Sequence, residues 1–205
     1  MRTLYVDVET SGLNEKIHGI IELGYIIEDY NGEVLDKGSI TMNPLYMSSK
    51  VSPKALEING FSAEDLPNLP NAKEACVSFI AILNKHLDDK YKLVAYNADF
   101  DTKFIQAWMG KLVPNTYWKM IDYKHLDPFA MVKYLQHLGK IDTGKSQSLE
   151  SVAKYFNLEH KAHNALSDIE VTRDIHHILI NKMNCIDKHP VEDERQTKID
   201  FGDKV

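Results

Sequence analysis

Apolar and β-branched residues crowd the first forty or so positions. Residues 2–8 (RTLYVDV) are dense enough in them for a buried strand, and 19–29 (GIIELGYIIED) repeat the pattern. Asn31-Gly32 supplies a hairpin turn, and 33–41 (EVLDKGSIT) read as the returning strand. The chain therefore opens with three antiparallel strands rather than a strand–helix–strand unit.

The pattern then changes. Residues 43–70 are rich in Pro, Ser and Asn and read as a loop region with short helices near 52–58 and 62–65, each opened by a Ser. An amphipathic helix is predicted over 71–87, with Asn71 as its N-cap and Ala75, Phe79, Ile82 and Leu83 on one face. Residues 91–96 (YKLVAY) read as a strand, followed by a helix over roughly 100–110 and a short strand near 124–127. Pro128 suits the first turn of a helix reaching Leu138. Ser148 opens a helix to about Phe156, although position 151, where a capping box wants Glu, is Ser. A long helix covers about 164–183. The residues from Asp187 onward are highly charged and lack a core pattern, so residues 1–185 are expected to form one domain and 186–205 a charged, flexible tail. Strands that pair first and then alternate with helices predict an α/β fold, a mixed sheet covered on both faces.

Composition narrows the function. A chain of 205 residues, 43% hydrophobic and 26% charged, can build one substantial core. Its formal net charge of -6 argues against a protein that coats nucleic acid with a broad basic surface. It is compatible with an acidic site whose bound cations invert the local charge. Cys76 and Cys185 fit neither a ligand spacing nor a disulfide framework and read as reduced intracellular thiols. No signal peptide, membrane-spanning stretch or lipidation motif is evident, so a cytoplasmic location without membrane contact is expected.

Three segments carry candidate chemistry. In YVDVETSGL, Asp7 and Glu9 sit two apart on a strand and project to the same side. Two neighbouring carboxylates repel unless a divalent cation compensates them; the plainer alternative is a polar strand end. Thr10-Ser11-Gly12 then forms a polar turn whose N–H groups suit a sugar or phosphate, with Leu13 exposed beyond it. In NADFD, Asp101 stands at a strand-to-helix junction, either as a site acid or as a first-turn acid favoured by the helix dipole. Asp99 reads as the helix N-cap, and Phe100 as a residue packing inward. In HNALSD, His163 precedes the last helix and Asp168 falls in its second turn, while His160 reads as a surface residue. Each segment alone is weak.

Taken in order, Asp-x-Glu on the first strand, Asn-Ala-x-Phe-Asp after a later strand, and His-Asn-Ala with Asp five residues after the His resemble the DEDDh 3′→5′ exonuclease family. The similarity is to the proofreading epsilon subunit of DNA polymerase III and its free-standing relatives, and covers about residues 2–183. It implies an RNase H-like fold with a mixed five-stranded sheet. It also implies that Asp7, Glu9, Asp101 and Asp168 hold two Mg²⁺ or Mn²⁺ ions. His163 is then the general base, suited to neutral pH by an ordinary pKa near 6.5. The segment VSPKALEINGF resembles the family's lining of the terminal-nucleotide site. Thr10, Leu13, Ile58, Asn59, Asn97 and Phe100 are accordingly expected at the substrate, Leu13 as a wedge between the last two bases and Ile58 against the terminal base. The implied partners are single-stranded 3′ ends, DNA favoured over RNA, and a DNA polymerase subunit.

Two positions depart from the family pattern. Tyr96 stands where a His commonly precedes Asn-Ala, and Asn59 where a His is also common. Neither is an expected ligand, so they bear on substrate preference rather than on the reaction. The competing readings are an exoribonuclease of the same family, an inactive polymerase-accessory or nucleic-acid-binding module, and a metal-dependent phosphatase.

Overall fold

The computed structural model describes residues 1–160 and 165–186; His163 and the charged segment from Asp187 onward lie outside them. Four strands, β1 (Thr3–Thr10), β2 (Ile20–Glu28), β3 (Val34–Thr41) and β4 (Lys92–Val94), form a sheet of order β3-β2-β1-β4. The first three are antiparallel, as the hairpin signal predicts, and β4 runs parallel to β1. The Asn31-Gly32 turn is held by the Asp29 carboxylate, which accepts from the N–H groups of Asn31 and Glu33 at 2.8 and 2.9 Å.

Helices follow as α1 (Pro53–Asn59), α2 (Ala72–Lys85), α3 (Asp99–Leu112), α4 (Tyr117–Met120), α5 (Pro128–His137), α6 (Leu149–Tyr155) and α7 (Ala165–Ile186). The predicted caps form: Ser52, Asn71 and Ser148 each accept backbone N–H groups at the starts of α1, α2 and α6. The predicted helix over 62–65 does not form. Ser62 and Asp65 bond each other in a turn, and the short 3-10 helix comes next, at Leu66–Asn68.

Alternation along β1 sends residues to two different layers. Leu4, Val6 and Val8 join Phe79, Leu83, Phe104 and Trp108 of α2 and α3 in the larger core. Tyr5 faces the other way, with Ile26, Val94 and Ile169, under α7. Helix α7 has a second apolar face: Val171, Ile175 and Leu179 pack with Val132, Leu135 and Val152 of α5 and α6. The sheet is thus covered on both sides.

The expected fifth strand is a correction. Beside β4 the chain makes only isolated parallel bridges, Tyr91 to Ile121 and Val94 to Leu126, so the sheet of the described residues has four strands rather than five. Between those bridges the chain carries two more residues than β4 does, and a regular ladder cannot absorb them. The Asp122 carboxylate accepts from Lys124 N–H at 2.9 Å, and the resulting turn leaves Tyr123 exposed.

Candidate metal centre and active site

The site forms where three elements end near one another. Helix α7 docks on the β1–β2 pair because Gly24, opposite Asp7 in the register, has no side chain. A Cβ there would lie 2.8 Å from the Ala165 carbonyl oxygen. Three residues further on, Asp168 is buried beside the odd-numbered face of β1. Carboxylate oxygens of Asp7, Glu9 and Asp168 all come within 4.8 Å of one another.

Asp101 arrives from the opposite side of β1. Strand β4 stops at Val94, opposite Tyr5, so no strand accompanies β1 beyond that point on this edge. Asn97 adopts a left-handed conformation, φ 65°, and turns the chain into α3. Its N–H donates to Asp127 Oδ1 at 2.9 Å, and that carboxylate also caps α5. Asp101, in the first turn of α3, then accepts from Val8 N–H at 3.0 Å. Asp99 is not the N-cap predicted for it. The cap position is Ala98, and Asp99 is an exposed first-turn residue 3.3 Å from His125 and 3.8 Å from Lys103. Phe100 is half-buried and packs on Phe104, ring centroids 4.8 Å apart.

The carboxylates disturb one another. Burial, then Asp101, Asp168, Glu9 and Glu22, push the Asp7 pKa well above the carboxylate range. Burial, then Asp168 and Glu22, raise Glu9 to about 7. Burial raises Asp101 too, against the opposing effect of the Val8 N–H bond. Oxygen-only donors, closely spaced and held in a place that disfavours their collective charge, fit hard divalent cations.

Two residues at this cluster escape the sequence reading. Glu22 lies directly opposite Glu9 across the β1–β2 pair, and its signal was a lone acid inside the apolar run IIELGYII. His160 is not a surface residue: its side chain is 8% exposed, and Nε2 is 2.6 Å from Asp168 Oδ1. Asn157, at φ 56°, turns the chain after α6 and leads it back toward α7.

The expected substrate residues gather around the same strand end. A bulge between Glu9 and Thr10 redirects β1 into the 10–19 loop. The loop is cross-braced: Ser11 N–H donates to Gly19 O at 2.9 Å, Gly19 N–H to Ser11 Oγ at 3.0 Å, and Thr10 Oγ1 to Gly12 O at 2.7 Å. On this fixed loop Leu13 is 83% exposed. Helix α1 stands beside it, with Asn59 Nδ2 donating to Thr10 O at 3.0 Å and Ile58 exposed. Asn59 is therefore an anchor of the loop, and Asn97 is exposed at the head of α3. His163 cannot be located among the described residues.

The family model described as Exonuclease (RNase T) matches residues 4–175. The chain belongs to the RNase T exonuclease family. The chain is 30% identical over 173 residues to a DNA polymerase III PolC-type protein of Thermotoga maritima, a match covering 83% of this chain and 11% of that protein. It is 26% identical over 188 residues to the DNA polymerase III subunit epsilon of Pasteurella multocida, covering 85% of this chain and 66% of the subunit. Its fold superposes on E. coli Exonuclease I in complex with a dA16 oligonucleotide with a TM-score of 0.73 at 17% identity, over 92% of this chain and 43% of that one. The chain thus spans about a tenth of the PolC-type relative and under half of the Exonuclease I chain. Among the described residues, no helix is long and apolar enough to cross a membrane.

Proposed function

We propose that this exonuclease removes nucleotides from the 3′ end of single-stranded DNA, or of frayed 3′ ends, and releases nucleoside 5′-monophosphates. The observation that carries the reading is the meeting of Asp7, Glu9 and Asp168 within 4.8 Å, with Asp101 bonded to the backbone between the first two. The PolC-type and epsilon relatives and the oligonucleotide-bound structural neighbour support DNA as the substrate and a polymerase as a partner.

Asp7, Glu9 and Asp168 would hold the divalent ions, with Asp101 completing the set. When bound, such ions lower the pKa of water from about 15.7 toward neutrality and stabilise charge on the departing oxygen. The chain's own groups do the rest. His163, by its place in the motif, takes the proton from the attacking water. Leu13 and Ile58 offer apolar contact to bases, which every base accepts because each has a flat face. The braced 10–19 loop holds Leu13 in place, so little ordering remains to be done on binding.

The deciding experiment is product analysis on 5′-labelled and 3′-labelled DNA and RNA oligomers of one sequence, with Mg²⁺ or Mn²⁺ and with EDTA. The reading expects stepwise loss from the 3′ end, mononucleotide 5′-phosphates, a preference for DNA and no reaction in EDTA. Faster degradation of RNA moves the protein to an exoribonuclease role. No degradation of either strand leaves a binding module.

A further inference from the structure

One groove borders the 10–19 loop and α3, the elements that carry Leu13 and Asp101. It has a volume of about 510 Å³ and lies between the loop after Leu13 and the outer face of α3, with Lys16 on one side and Lys103, Gln106, Ala107 and Gly110 on the other. Each wall lies close in the chain to a candidate site residue: Lys103 follows Asp101 by two. On the loop, Lys16 follows Leu13 by three residues. On the helix, Phe100, Lys103, Ala107 and Gly110 are spaced three or four apart and share a face. From Lys103 to Gly110 the helix rises about 10 Å. A stacked strand advances ~3.4 Å per nucleotide, so the groove matches roughly three of them.

Charge and shape fit the same occupant. The chain carries a net -6, yet this groove has two lysines against one acid, Glu15. The Lys103 side chain is 60% exposed, and its ammonium stands 3.8 Å from the Asp99 carboxylate. Gly110 sits inside α3, where glycine costs the helix roughly 0.5–1 kcal/mol relative to alanine. Among the described residues no neighbouring atom accounts for it, because a Cβ there would meet nothing within 4 Å. A bare helix surface at that point admits close approach by something outside the chain.

We infer that this groove carries the sugar–phosphate backbone of the nucleotides upstream of the scissile bond, with Lys16 and Lys103 contacting phosphates. The inference rests on the exonuclease reading above and adds to it a substrate-length requirement set by residues away from the metal centre.

The test compares three substrates in the presence of Mn²⁺: the p-nitrophenyl ester of thymidine 5′-monophosphate, a thymidine dinucleotide and a dT12 oligomer. The first two end short of the groove. For the K16A/K103A double variant, the expected result is an unchanged melting temperature and kcat/KM within about threefold of the parent on the ester and dinucleotide. Its KM for dT12 should rise at least about tenfold. Two lost phosphate contacts on a single strand should also flatten the log–log salt dependence of dT12 binding by about 1.4. Gly110→Glu, which places an acid on the groove floor, should weaken dT12 in the same direction. An unchanged KM and salt slope for dT12 would overturn the assignment and leave the groove to a protein partner. An equal loss on ester and oligomer would overturn it as well, by making the lysines part of the catalytic centre. If the parent protein hydrolyses none of the three, the exonuclease reading itself fails, and that result is distinct from the other two.

Discussion

Gly24 faces Asp7 across the β1–β2 pair, and its missing side chain is the space into which the Ala165 carbonyl settles. The contact sets how deeply the start of α7 sinks onto the sheet, and so where Asp168 meets Asp7 and Glu9. Gly24→Ala would place a methyl 2.8 Å from that oxygen, so backbone must move. Overpacking of this kind costs about 1–3 kcal/mol. Urea unfolding should show that loss. Turnover of the folded variant should drop further than the stability change explains, and its metal requirement should rise. Parent-like turnover at saturating Mn²⁺ would detach the register from the site.

The acidic cluster sets the pH behaviour of the metal-free protein. In the folded chain Glu9 titrates near 7, against an ordinary value of 4.5. Between those values the folded chain keeps a proton that the unfolded chain has released, so stability falls as pH rises through that window. Asp7, raised in the same direction, adds to the effect. Asp7→Asn is expected to raise the melting temperature in EDTA at pH 8 while lowering nuclease activity at least about 10²-fold. A lower melting temperature would mean that Asp7 is not held against its charge.

His176 works in the opposite sense. Burial, then the neighbouring His177 ring, pull it down to about 4 from 6.5, and its Nδ1 lies 3.0 Å from the Tyr5 hydroxyl. Below 6.5 the unfolded chain takes up a proton that the folded chain refuses, so stability is lost as pH falls toward 4. The His176 window overlaps that of Glu9 and runs against it, so in metal-free melts across pH 4–8 it offsets part of the fall that the carboxylates cause. Replacing His176 by Asn should steepen the fall between pH 4 and 6.5; an unchanged slope there would place the titrating group elsewhere.

Leu13 offers a separation of binding from folding. At 83% exposure it contributes little to the core, so Leu13→Ala should change stability by no more than about 0.5 kcal/mol. If it wedges between bases, kcat/KM on an oligomer should fall about tenfold or more, the scale of a stacking contact worth about 1–3 kcal/mol. Equal activity in the two proteins would return Leu13 to an ordinary exposed residue.

The two histidines can be told apart kinetically. His163→Ala should lower kcat by about 10²–10⁴ with metal affinity retained, the usual cost of removing a general base. His160, bonded to Asp168, should act on the ligand instead: His160→Ala is expected to raise the Mn²⁺ concentration needed for half-maximal activity, by up to about 10–100-fold. If His160→Ala lowers kcat without changing the metal requirement, the two assignments exchange.

Most of the elements were legible in the chain because their signals are local. Asn31-Gly32 announces its hairpin, Ser52, Asn71 and Ser148 announce their helices, and period-two and helical patterns mark β1, α2 and α7. The Asp7–Glu9 pair was legible for the same reason, since strand alternation alone puts the two on one side. Errors arose where pairing between distant segments decides. A strand is expected near 124–127, but two surplus residues against β4 reduce the pairing there to single bridges. Asp99 has the chemistry of a cap, but the Asn97 turn starts the helix one residue too early for it to serve as one.

By itself the sequence determined the order of the elements, the residue types able to hold a cation and the motif spacing that marks the family. The motif named the acids, and tertiary structure decided how they meet. Asp168 reaches Asp7 only because a glycine admits α7, and Asp101 reaches Val8 only because β4 ends early. Glu22 and His160 join them through a cross-strand register and a returning turn that no local pattern encodes. Local propensity acts over a few residues, whereas a cluster of like charges assembles only when packing elsewhere offsets their repulsion.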